Sequence, residues 1–195
     1  MKRGDFVTRL CHTEYASEKK AQLENSLMNL MMTRQYQDIR VTDICREAGI
    51  PRRTFYHYFD SKGAVLDAVI ETMMQQCFMN VMFDFRLGQE HMKNRFLQIF
   101  KFWEGENRKK LDVLIHNNLE TTLIAWAYKW IRKEQLGVLQ NSALLDPKLE
   151  EIVLKIGTTE FFALLFHWSE GGYQETPEEM AKYAVWVLPQ ALFKI

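Results

Sequence analysis

Apolar residues recur at helical spacing along most of the chain. Leu23, Leu27, Leu30 and Met31 fall at i, i+4, i+7 and i+8, one stripe of a first helix that opens with Ser17 as N-cap; residues 1–16 show no periodicity and are read as fraying. In VTDICREAGI, Ile44, Cys45 and Ala48 share a face, Thr42 or Asp43 can cap, and Gly49 supplies the left-handed residue that ends a short second helix. Pro51 suits the first turn of a third helix, where its missing N–H would have had no partner. Phe55, Tyr58 and Phe59, at i, i+3 and i+4, form the inward stripe of that helix. Arg52, Arg53, Thr54, Tyr56 and His57 therefore face outward or flank the stripe. Asp60 or Ser61 then caps a longer fourth helix, buried along Val65, Leu66, Val69, Met73, Cys77, Val81 and Met82.

Beyond Gly88 the helical pattern continues. Phe96, Ile99, Phe100 and Trp103 mark a segment ended by Gly105, and Leu111, Leu114 and Ile115 mark the next. Leu123, Trp126, Ala127, Trp130 and Ile131 make a third, closed at Gly137. Asp146-Pro147 opens a long helix that reaches Gly171-Gly172. Thr176-Pro177-Glu178-Glu179 reads as a capping box with proline at the first helical position, opening a last helix through Met180, Tyr183, Ala184, Val187 and Leu188. The sum is an all-α chain of about nine helices. Composition agrees, with nine glycines and four prolines in 195 residues.

The total charge is zero, but its distribution is uneven. Residues 1–63 hold 11 Lys+Arg against 8 Asp+Glu, a net of +3, which leaves 14 against 17, a net of −3, for residues 64–195. A local basic excess decides anion binding where a total does not. Cys11, Cys45 and Cys77 are odd in number, far apart and without Cys-x-x-Cys spacing, which argues against a disulfide framework or a zinc site and for a reducing cytoplasm. No apolar run approaches the roughly 20 residues a bilayer requires, so no membrane partner is expected.

Two short helices joined by a turn at Gly49, the second with a basic polar face, have the layout of a helix-turn-helix. The outward chemistry of PRRTFYHYFD suits a DNA groove. An arginine can pair bidentately with guanine, a threonine can meet a thymine methyl or a phosphate, and tyrosine, histidine and lysine are backbone anchors.

The run VTDICREAGIPRRTFYHYFDSKGAVLDAV resembles the N-terminal DNA-binding domain of the TetR (TetR/AcrR) family of bacterial transcriptional regulators. The resemblance is carried by Val41, Ile44, Ala48-Gly49-Ile50, Thr54, Phe55-Tyr56-x-Tyr58-Phe59, Lys62 and Leu66, and extends over about residues 17–75. It implies a three-helix DNA-binding head over residues 1–62, ordered from about 17, and a larger ligand-binding and dimerisation domain over 63–195. Carried over by position, Arg52, Arg53, Thr54 and His57 would face bases, and Tyr56 and Lys62 would hold phosphates. Pro51 stands where the family often has serine, which moves the cap of the third helix. Arg40 stands where threonine is frequent, which passes a phosphate contact to Thr42. The late stretch HWSEGGYQETPEEMAKYAV is similar to that of some Gram-positive members.

One head offers too few base contacts to select a site from a genome, which favours a homodimer reading a palindrome. EFFALLFHW is apolar nearly all round, so a partner subunit is expected to cover one side. Phe161, Leu165, Trp168, Tyr183 and Val187 are the candidate dimer residues. Aromatic and methionine side chains crowd the body, and Phe78, Met82, Phe100, Trp103, His116, Trp126 and Phe162 are the candidate lining of an effector site. Glu120, Glu160 and His167 are further polar handles. The function expected is a ligand-responsive repressor of a palindromic operator, its partners being double-stranded DNA, a small-molecule effector and a second copy. The other reading is a TetR-like interaction protein or co-activator acting through protein contacts. No cofactor is called for. No His-Glu-x-x-His, phosphate-binding glycine loop or nucleophile elbow marks an enzyme.

Overall fold

The helical stripes assemble, in the computed structural model, into two compact units; the structure describes residues 3–78, 88–139 and 147–188. Among the described residues there are nine α-helices and no strand. The head contributes α1 (Arg3–Met31), a 3-10 turn (Tyr36–Asp38), α2 (Val41–Ala48), α3 (Arg52–Tyr58) and the start of α4 (Lys62–Phe78). The body contributes the end of α4, then α5 (Gly88–Glu104), α6 (Arg108–His116), α7 (Glu120–Leu139), α8 (Pro147–Glu170) and α9 (Pro177–Val187). The helix α4 begins at Lys62, beside the boundary read from the sequence, and the compact units divide further along it, between Thr72 and Met73.

Three helix limits differ from the sequence reading. α1 opens at Arg3 rather than at Ser17, which lies in its interior. Glu14, Tyr15, Ser17 and Glu18 are all exposed, so the turn around Ser17 offers no buried apolar position to mark the helix. Pro51 is the N-cap of α3 instead of its first helical residue, with extended φ −60°, ψ 143°. Its carbonyl accepts from the N–H groups of Thr54 at 2.8 Å and Phe55 at 3.0 Å, which makes the cap main-chain in character. α7 continues through Gly137 to Leu139, because a glycine inside a long helix lowers its stability by only about 1 kcal/mol.

In the head, Leu23, Leu27, Met31, Ile39, Ile44, Phe55, Val65 and Ile70 are at most 1% exposed. Each such side chain contributes roughly 1.5–3 kcal/mol on burial. The Gln22 amide donates to the Ala48 carbonyl at 2.7 Å, so α1 satisfies an orphan acceptor at the end of α2. Ser61 Oγ accepts from the Ala64 N–H at 3.1 Å and opens α4.

In the body, α5 and α8 share an aromatic core. Phe96 stacks on Phe161 with centroids 5.3 Å apart, and Phe100 meets Trp168 edge-on at 5.4 Å. Phe161, Leu165 and Trp168 are 7%, 0% and 1% exposed within the single chain, so they do not form the outer face expected of dimer residues. Phe96 and Phe100 of α5 supply ring partners of Phe161 and Trp168 within the same chain. Tyr183 and Val187 do face out, beside Trp186 at 83% exposure. Of the candidate effector residues, Phe78, Phe100, Trp103 and Phe162 are buried, Trp126 is half-buried and His116 is exposed; Met82 lies outside the described residues. Phe78 stacks on Trp130 at 4.8 Å. The capping box forms as read: the Thr176 hydroxyl accepts from the Glu179 N–H at 3.2 Å, and the Glu179 carboxylate accepts from the Thr176 N–H at 2.9 Å.

Candidate nucleic-acid interface

The site begins with the turn between α2 and α3. Gly49, at φ 63°, is the left-handed residue that closes α2, and the Ile50 N–H returns to the Cys45 carbonyl at 3.0 Å. Ile44, Cys45, Ala48 and Ile50 are buried on one side, and Phe55 and Phe59 on the other. Tyr58, the third member of the expected inward stripe, is only half-buried.

With Phe55 and Phe59 inside, the opposite face of α3 is left to solvent. Arg52, Arg53, Tyr56 and His57 are exposed, Thr54 is half-buried, and Thr42 is exposed in the first turn of α2. The Arg52 guanidinium donates to the Tyr56 hydroxyl at 3.2 Å and lies 5.5 Å from the centre of that ring. These residues, one turn apart, thus hold each other along the outer edge of the helix. The Tyr56 ring in turn rests edge-on against Phe55 at 5.3 Å.

The connector leading into α2 is held from two sides. Arg34 donates to the Asp38 carbonyl at 2.9 Å and to the Asp43 carboxylate at 3.3 Å. Asp43 also accepts the Arg40 backbone N–H at 2.9 Å and approaches Arg46 at 3.6 Å. The Arg40 backbone N–H, with Arg34 next, holds the Asp43 carboxyl below the usual carboxylate range. From the other side the Lys62 ammonium donates to the Tyr36 carbonyl at 2.7 Å and to that of Gln37 at 3.3 Å.

Six of the seven expected DNA-facing residues, Thr42, Arg52, Arg53, Thr54, Tyr56 and His57, therefore lie on α2 and α3 with outward or flanking exposure, whereas Lys62 is turned to main-chain oxygens. Sequence reasoning missed the contribution of Arg34, Tyr36 and Asp43 as supports. The Arg34–Asp43 and Lys62–Tyr36 contacts join residues 9 and 26 apart, and the Asp38 and Tyr36 acceptors are backbone carbonyls, which no side-chain pattern signals.

Residues 26–69 match the family described as bacterial regulatory proteins, tetR family. That segment of the head is similar to the TetR family. A 59-residue stretch is 36% identical to the HTH-type transcriptional regulator EthR of Mycolicibacterium smegmatis, covering 30% of this chain and 27% of that relative. A 51-residue stretch is 45% identical to EthR of Mycobacterium tuberculosis, covering 26% of this chain and 24% of the relative. The chain thus spans about a quarter of the length of these curated relatives. The fold extends further. The TetR transcriptional regulator from Streptococcus agalactiae superposes over 92% of this chain and 98% of its own, with a TM-score of 0.67 at 18% identity.

The TetR-family match contains the whole α2–turn–α3 segment and the first turns of α4. Among the described residues, no group of three or more His, Cys, Asp and Glu side chains could hold a metal ion, and no helix is long and apolar enough to cross a membrane.

Proposed function

We propose that this chain is a TetR-family regulator, a ligand-responsive repressor that binds a palindromic DNA operator as a homodimer in the cytoplasm. The observation that carries the reading is the outer face of α3. Arg52, Arg53, Tyr56 and His57 stand exposed together, backed by buried Phe55 and Phe59. Arg52 and Arg53 would read base edges with Thr54 and His57, while Thr42 and Tyr56 would position the helix on phosphates. Two heads would engage half-sites about one helical turn apart.

The second copy would dock on the apolar residues that α8 and α9 leave uncovered. Leu149, Ile152 and Ile156 on α8 and Tyr183, Trp186 and Val187 on α9 are all at least 45% exposed. Exposed apolar patches of this kind mark association surfaces. The effector would be an apolar or aromatic small molecule admitted among the rings of α5, α7 and α8. By favouring one conformation of the body it would move α4 and so change the separation of the two heads. No catalytic step and no cofactor enter this reading.

Gel retardation of the fragment upstream of the gene tests it. Retardation is expected to weaken by about 10³-fold or more between about 50 and 200 mM salt, as ionic anchoring to several phosphates requires. The Arg52→Ala, Arg53→Ala double variant should lose specific retardation. A double variant that binds like the parent chain would overturn the assignment and favour action through protein contacts.

A further inference from the structure

Lys62, in the head, turns its charge inward rather than to solvent. Lys62 is the first residue of α4, and its ammonium group donates to the carbonyls of Tyr36 and Gln37 while standing 4.3 Å from the centre of the Tyr36 ring. We infer that Lys62 is a positioning residue: it pins the connector between α1 and α2 to the first turn of α4, and so fixes where α2 begins, instead of holding a DNA phosphate. Only the second half of this inference rests on the DNA-binding reading.

The connector needs such a pin. Between Met31 and Val41 the regular elements supply a single 3-10 turn, with Asp38 N–H bonded to the Gln35 carbonyl at 3.0 Å and Ile39 N–H to that of Tyr36 at 3.2 Å. A turn this short is weakly self-supporting. Lys62 adds a charge-assisted bond to the same Tyr36 carbonyl from the far side of the head, and the Tyr36 ring face adds a cation–π contact. Immediately after the turn, Ile39 is buried at 1% exposure and Arg40 becomes the N-cap of α2. The line of support therefore runs from α4 through Lys62, the turn and Ile39 to the start of α2, where Thr42 is exposed. Arg34 holds the other side of the same connector through the Asp38 carbonyl and Asp43.

A lysine kept for phosphate would present its ammonium group to water. Here the group is partly buried, and desolvation holds its pKa below the ordinary lysine value. Turning it to a phosphate would strip the Gln37 carbonyl of this donor and break the contact with Tyr36. Arg52 and Arg53 need no such rearrangement.

Three measurements on the full-length protein decide the matter. In Lys62→Met, which keeps the apolar stem, the amides of Asp38 and Ile39 should exchange with solvent about tenfold faster. Lys62→Arg, which restores the donor and the charge, should return most of that protection. Binding of Lys62→Met to a random-sequence DNA duplex should keep the slope of log affinity against log salt seen for the parent chain. In the parent chain, through-space proton contacts between the Lys62 ε-methylene and the Tyr36 ring should persist when the duplex is added. Unchanged amide exchange in Lys62→Met would overturn the inference. So would a salt slope reduced by about 0.9, the signature of one lost phosphate contact, or loss of the Tyr36 contact on DNA. If the parent chain fails to bind any duplex, the proposed function falls, and the exchange measurement still decides the pin by itself.

Discussion

The Tyr173 hydroxyl donates to Oδ1 of Asp112 at 2.5 Å, and the same oxygen accepts from Ser169 Oγ at 2.7 Å. The pair binds the turn between α8 and α9 to α6. That turn is conformationally costly: Gly172 and Tyr173 sit consecutively at φ 74° and 59°, and for a tyrosine the left-handed region costs roughly 1–2 kcal/mol. Arg108, 3.9 Å from the Tyr173 ring centre, and the Trp168 indole N–H, donating to the Glu175 carbonyl at 2.9 Å, hold the rest of the turn. The stretch HWSEGGYQETPEEMAKYAV is thus a structural lock across α6, α8 and α9.

Removing the acceptor should loosen that lock. Asp112→Ala leaves both hydroxyls without their partner and is expected to lower stability by about 1–2 kcal/mol, a value reduced for the partial exposure of the pair. Tyr173→Phe should cost less, since Ser169 keeps its bond. Urea unfolding of the two variants checks the order.

The same contact gives an alkaline limit. Burial first, and the Asp112 carboxylate next, push the Tyr173 phenol above its usual range; burial and Glu151 do the same to Tyr128. Above about pH 10 the unfolded chain loses these phenolic protons while the folded chain keeps them. Stability contributed by the two groups is therefore complete below about pH 10 and declines as pH rises further. Unfolding free energies measured from pH 8 upward should fall past that point, and less steeply in Asp112→Asn.

At the α2–α3 turn, a Cβ placed on Gly49 would meet no atom within 4 Å, so only the positive φ opposes a side chain there. Gly49→Ala is expected to cost about 1 kcal/mol, read by thermal denaturation, without displacing α3.

Two positions on the last helices should separate folding from association. Leu165 is fully buried, and Leu165→Ala is expected to cost about 2–5 kcal/mol through the cavity it leaves. Trp186 is 83% exposed, and Trp186→Ala should alter unfolding of the dilute protein by no more than about 0.5 kcal/mol. In sedimentation, however, the same variant should raise the dimer dissociation constant at least about tenfold. A Trp186→Ala protein that self-associates like the parent chain would remove this face from the interface.

How far the sequence foretold this arrangement depends on the range of each contact. The Thr176–Glu179 box, the Gly49 terminus and the inward placement of Ile44, Phe55 and Phe59 rest on residues within one or two turns, and they were readable. The Asp112–Tyr173 pair joins residues 61 apart, and Lys62 grips a carbonyl 26 residues away, so neither has a local signal. The apolar run EFFALLFHW was read as needing a partner on one side. Periodicity cannot tell an intramolecular neighbour from an intermolecular one, and α5 supplies rings that meet Phe161 and Trp168. The opening of α1 ahead of Ser17 had a weak signal too, since Glu14, Tyr15, Ser17 and Glu18 are exposed and mark no stripe.

The division of α4 between the two units has a practical consequence for anyone cloning the head alone. Val65, Leu66, Val69 and Ile70 lie beyond the three-helix segment, yet each is at most 7% exposed and belongs to the first unit. A gene fragment stopped at Gly63 would discard all four, and with them part of the buried interior of the first unit. The shortest excisable piece that keeps its own interior closed runs at least to Thr72.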